Sequence, residues 1–269
     1  MYFPFLYGRR SEFLALRAMV KDHRSLDALV PVIEPVKRDI SDLTRCIEHF
    51  GKADQALAVI LNPDKFELKS NDEAKAWRKE ILGVIAEYHS VLPTYRCVST
   101  TTLAQVNSFL KLFEDREVAL AYSSPSLADA DITTLAAKSK VRFHIVLNGK
   151  MTASQQKFLP ATKRVDIRDY FNKLERNSDY DGDELFTDRH KTFKPGKQLS
   201  LFVLWQQGRA RNPLFFGCVL HRFFEDLVLQ GFLAQDALQL GDLGSGCGQF
   251  GGRHHGFAGR HRHQSALTI

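Results

Sequence analysis

The polar residues best placed for chemistry in this sequence are those that close or follow short apolar, β-branched runs. Arg9, Arg10 and Glu12 follow the run from Tyr2 to Tyr7, and Glu34 and Lys37 close the run from Val30 to Val36. Asn62 and Asp64 follow Leu57 to Leu61, Ser99 follows Pro93 to Val98, and Tyr122 and Ser123 end Val118 to Tyr122. Asn148 follows Val141 to Leu147, and Asp166, with Asp169 after it, closes Arg164 to Ile167. If each run is a barrel strand, its C-terminal end opens on one shared mouth. The set then supplies Glu34, Lys37 and Asp166 for general acid and base work. Arg9 and Arg10 would grip an anion, and Asn62, Tyr122 and Asn148 would orient the rest of a substrate. Loops and helix caps call for the same residue types, so a purely structural use of each residue competes with the catalytic one.

Glu34 stands out individually. It interrupts Val30-Pro31-Val32-Ile33 and precedes Pro35, so burying it requires a cationic partner such as Lys37 or an arginine. A structural ion pair and a catalytic acid fit that pattern equally. Arg9 and Arg10 lie where the first helix should begin, and free backbone N–H groups there favour a phosphate or carboxylate.

Named motifs assign no reaction. No G-x-G-x-x-G, nucleophile elbow, phosphate loop or H-E-x-x-H occurs, and Glu34 and Lys37 are spaced E-x-x-K, one residue too long for a nuclease D…E-x-K. The acidic stretch from Asp179 to Glu184 fails the EF-hand template, because glycine stands fourth and His190 occupies the twelfth position. His254, His255, His261 and His263 lack the spacing of a folded metal site. Four cysteines lie far apart without a C-x-x-C pair, which predicts free thiols in a reducing compartment.

The elements that would position these residues follow from periodicity. Apolar runs alternate with helical segments, one β/α unit every 22 to 36 residues or so. Helices are expected after a Ser11 cap, after Asn71-Asp72 and after Ser99-Thr100-Thr101. Seven such units suit either a doubly wound open sheet or a (β/α) barrel of the TIM type. Without a glycine-rich turn after an early strand, the barrel is preferred. Its eighth strand would be Leu199 to Trp205, so the predicted fold is an α/β barrel, incomplete or imperfectly closed.

Hydrophobic residues make up 44% of the chain and charged residues 25%, ordinary for a globular protein. No run approaches a bilayer span and no basic n-region precedes the apolar N-terminus, so a cytoplasmic location without membrane contact is expected. Net charge is +6, spread without a basic run. With no aromatic and basic strand pattern and no recognition helix, sequence-specific nucleic-acid binding is not expected.

Several stretches taken together resemble a known family. They are Met1 to Arg9, Glu12 with Leu16-Arg17, Val32 to Lys37, Ile60 to Pro63, Arg176 to Tyr180 and Phe186 to Lys191. Over residues 1–195 the chain resembles a family of uncharacterised bacterial proteins named after a myxobacterial locus tag, the sce-type family, related to the phage beta-protein family. The resemblance implies a barrel-like β/α fold and no assigned reaction. It also suggests a second class of function, a non-catalytic binding or interaction module of a phage, mobile-element or defence locus.

Near Lys197 the composition changes. Lysine vanishes after that residue, and 11 of 17 glycines lie at or after Gly208. The family pattern is also lost after Lys194, as a frameshift, an insertion or a truncated reading frame would produce. The expected organisation is a barrel-like domain over 1–195, a surrogate strand and apolar helical segment over 196–243, and a disordered, non-native-looking Gly/His/Arg-rich tail over 244–269. The expected function is an enzyme, or the relic of one, acting on a small anionic or phosphate-bearing substrate at the barrel mouth, with no cofactor assigned.

Overall fold

Strands form where the sequence is continuously apolar, because both faces of each strand are covered. In the computed structural model, residues 1–22 and 26–168 are described in full, and 200–203 in backbone only. The strands are β1 (Phe5–Leu6), β2 (Val32–Ile33), β3 (Leu57–Ile60), β4 (Val91–Cys97), β5 (Val118–Tyr122), β6 (Val141–Leu147), β7 (Arg164–Arg168) and β8 (Ser200–Val203). Helices α1 (Arg10–Lys21), α2 (Ser41–Lys52), α3 (Asn71–Ala86), α4 (Leu103–Leu112), α5 (Asp129–Ala136) and α6 (Ala153–Lys157) alternate with the first seven. Every strand pairs in parallel with the next in sequence, in the order β1 to β8.

The sheet curls into a nearly closed barrel. Alternate residues Phe3, Phe5 and Tyr7, Val30 and Val32, Ala58 and Ile60, Ala119 and Ala121, Phe143, Ile145 and Leu147, and Val165 and Ile167 make one buried cluster inside it. The Phe3 and Phe143 rings meet edge to face with centroids 4.9 Å apart. Phe3 leads into β1 and Phe143 lies in β6, strands that a flat sheet would hold about 24 Å apart. One seam is unsealed: the hydrogen-bonded order ends at β1 and β8, with no pairing between them among the described residues.

Helices cover the outer face with apolar stripes. Phe13, Leu16 and Met19 of α1, Leu43, Cys46, Ile47 and Phe50 of α2, and Trp77, Ile81 and Ile85 of α3 are buried. Each large side chain so buried contributes about 1.5–3 kcal/mol. Helix starts differ slightly from expectation. α1 begins at Arg10 with Arg9 as its N-cap rather than at a Ser11 cap, because buried Glu12 reaches back to accept the Arg9 N–H at 2.8 Å. Ser70 caps α3 and Thr102 caps α4, the latter in a reciprocal capping box with Gln105. Gly8 makes the turn from β1 into α1 at φ +60, where a Cβ would also crowd Phe13 and Ile33.

Cys46 and Cys97 are free and buried, and burial pushes both thiols up to about 12. No helix among the described residues is long and apolar enough to cross a membrane. Asp169, the Asp179 to Glu184 loop, Cys218, Cys247, the apolar segment from Cys218 to Leu243, the histidine cluster and the 244–269 tail all lie outside the described residues.

Candidate functional site at the barrel mouth

Glu34 directly follows β2, where its N–H continues the ladder by donating to the Leu6 carbonyl at 2.8 Å. Its neighbours at the same alternation, Val32 and Val36, belong to the inner cluster, so its carboxylate turns into the barrel. The residue is 0% exposed. Two cations meet it: the Arg96 Nη1 donates to Oε1, and the Lys65 Nζ donates to Oε2 at 2.9 Å. An arginine and a lysine therefore balance the buried charge, but the lysine is not Lys37, which is exposed.

Arg96 lies in β4 on the same alternation as inward-facing Leu92, and is 4% exposed. Asn62 fixes it. The Asn62 amide donates to the Arg96 carbonyl at 2.8 Å while its oxygen accepts the Arg96 N–H at 2.8 Å. In effect one side chain extends the β3–β4 ladder past its end, so Asn62 positions the arginine. Arg96 Nη2 then pairs with Asp64, whose side chain is 54% exposed. Beyond Asp64 the chain turns at Phe66, a non-glycine residue at φ +53. That turn is tied to the end of β2: the Glu67 N–H donates to the Val36 carbonyl, and Arg38 N–H donates to the Glu67 carboxylate at 3.0 Å. The stitching carries Lys65 over Glu34.

Tyr7, directly after β1, completes the group. The Lys65 ammonium sits 4.9 Å from its ring centroid and the Arg9 guanidinium 6.0 Å, while the half-exposed Phe66 ring meets its edge at 6.3 Å. Among the described residues, the β1–β4 side of the mouth thus holds the cations Arg9, Lys65 and Arg96 beside the carboxylates Glu34 and Asp64, with buried Glu12 next to Arg9, against an aromatic wall.

Comparison with family models, with curated proteins and with solved structures found no match.

The other expected site residues lie elsewhere. Asp166 alternates with inward-facing Val165 and Ile167, so it faces outward, where the Arg168 Nε donates to its carboxylate at 3.0 Å. Tyr122 also faces outward, fully buried, its hydroxyl 2.9 Å from His144 Nδ1. Burial raises the Tyr122 pKa well above that of an ordinary phenol, with Cys97 nearby adding to the shift. Asn148 is exposed at φ +52, its N–H donating to the Ile167 carbonyl at 2.6 Å. Arg10 is exposed in the first turn of α1, and Ser99 is exposed after β4. Of the expected set, the structure brings together Arg9, Glu34, Asn62 and Asp64.

Arg96 was not expected because it lies inside the run from Pro93 to Val98, whereas Tyr7 closes the first run and Lys65 directly follows Asp64, positions where nothing in the residue type singled them out. Alternation was the available signal: within Leu92-Pro93-Thr94-Tyr95-Arg96, the arginine shares its parity with Leu92. Among the described residues no three His, Cys, Asp or Glu side chains assemble as metal ligands would.

Proposed function

We propose that the β1–β4 side of the mouth binds a small anionic ligand, a phosphate or carboxylate, as the substrate site of a barrel enzyme or its relic. The observation that supports this most directly is the buried Glu34 anchoring two cations, Arg96 and Lys65, at the C-terminal ends of parallel strands. Barrel enzymes place substrate groups at that end. A buried carboxylate engaged on both oxygens is poorly placed to take a substrate proton. Glu34 is therefore read as holding the cations in place, and the cations as holding the ligand. Tyr7 and Phe66 offer apolar edges to whatever carries the anion. The resemblance to the sce-type family is consistent with such a barrel and adds no reaction.

Thermal unfolding of the full chain with inorganic phosphate, phenyl phosphate and benzoate tests the proposal. A ligand at a hundred times its Kd stabilises by about 2.7 kcal/mol, which for a domain of this size raises Tm by roughly 5–10 °C. The ring-bearing anions should act at lower concentration than phosphate, and Lys65→Gln should weaken all three. A Tm indifferent to every anion would overturn the reading.

A further inference from the structure

The planar guanidinium of Arg96 has three edges with different fates. Nη1 is committed to the buried Glu34. The remaining bidentate edge is formed by Nε–H and the adjacent Nη2, the pair of parallel donors that fits the two oxygens of a carboxylate or phosphate. On that edge Nη2 is paired with Asp64, and Nε is buried with no hydrogen-bond partner among the described residues. A buried unpaired donor on a charged group is costly, and native structures retain few of them. The acid on this edge is far more open to solvent than the one holding Nη1: Asp64 is 54% exposed, against 0% for Glu34. It sits at the start of the loop that turns through the left-handed Phe66.

Resting on the anion-binding reading, we infer that Asp64 is an internal competitor. It occupies half of the Arg96 edge until an oxyanion displaces it and takes both Nε–H and Nη2, with Lys65 alongside. The ligand class that fits is an oxyanion presenting two coplanar or near-coplanar oxygens, as a carboxylate or phosphate monoester does. Asp64 moving away leaves Arg96 still neutralised by Glu34 and by the incoming anion, so the buried cation is paired in both states. A proton transfer or covalent step is not required.

The experiment compares benzoate and phenyl phosphate affinity for the full-length wild type and Asp64→Asn. Asparagine keeps the size of the half-exposed side chain while removing its charge, so the fold should persist. Losing an ion pair of this partly exposed kind is worth about fivefold in competition, and Asp64→Asn should bind both anions about that much more tightly. In parallel, the NMR signal of the Arg96 Nε–H should shift and become slower to exchange as either anion saturates the wild type. Equal affinity for the two proteins with an unmoved Nε–H signal would overturn the competitor role while leaving anion binding intact. Absence of binding to either protein would overturn both.

Discussion

His144 shows how a single residue on the far side of the sheet from the mouth can carry the pH dependence of stability. Its ring is fully buried, stacked with Tyr122 at an interplanar angle of 15°, and its Nε2 has no partner among the described residues. Burial, reinforced by the Lys163 ammonium, lowers its pKa from 6.5 to about 4. Tyr122 faces it uncharged at neutral pH, and its register partner on β7 is Arg164. The unfolded chain binds this proton near pH 6.5 and the folded chain only near 4, so stability is complete above the unfolded value and is lost as pH falls from 6.5 toward 4. Integrated over that window the loss is about 3 kcal/mol. Urea midpoints of the full chain between pH 7 and 4 should fall accordingly, and His144→Gln should flatten the slope. An equally steep slope in the variant would place the dependence on other groups.

At the scale of elements, two helical glycines make opposite predictions from the same residue type. Gly83 lies on the exposed face of α3, where a Cβ would meet nothing within 4 Å. Alanine there gains about 0.5–1 kcal/mol from helix propensity alone. In α2 a Cβ on Gly51 would overlap the Tyr88 side chain from its Cβ to its ring, so the same propensity gain is opposed by overpacking of about 1–3 kcal/mol. The clash should win. Gly83→Ala is expected to raise Tm and Gly51→Ala to lower it, both read from thermal unfolding. Tyr88 has a second role that limits its freedom to move aside: its carbonyl, with that of Ile85, accepts from the buried Arg116 guanidinium beyond the end of α3. A Gly51→Ala protein as stable as the wild type would show that Tyr88 yields more easily than this anchoring implies.

For the whole molecule, the open seam is the feature with mechanical consequences. Tyr2, Pro4 and Leu6 turn their carbonyls toward the second strand, accepting from Val30, Val32 and Glu34, so Phe3 and Phe5 turn their N–H groups toward the seam. The interior is nonetheless packed across it, as the Phe3–Phe143 contact shows. Among the described residues, side-chain packing therefore holds the barrel curved where no strand ladder does. Hydrogen exchange should find the Phe3 and Phe5 amides far less protected than those of Val32 and Ala58, which donate to the Pro4 and Pro31 carbonyls. Protection of Phe3 and Phe5 equal to that of the central strands would mean that the seam is closed by backbone pairing.

Periodicity marked seven strand runs and the helices between them, which left two parallel layouts open, a doubly wound sheet and a barrel; the sequential order and the curl of the sheet were decided by tertiary structure. Val118–Tyr122 and Val141–Leu147 coincide with the expected runs, since both ends of each are bounded by polar residues. The sequence also marked Glu34 as a buried charge in need of a cation, because an ionised side chain between apolar neighbours is untenable unpaired. Which cation it would find depended on tertiary structure. Arg96 is 62 residues away from Glu34 in sequence, and only the curl of the sheet and the register of β3 on β4 bring it there. The same geometry separated Asp166 from Glu34. Both lie near C-terminal strand ends, yet one-residue parity sends one side chain inward and the other outward, and that choice is made by which neighbours fill the barrel core.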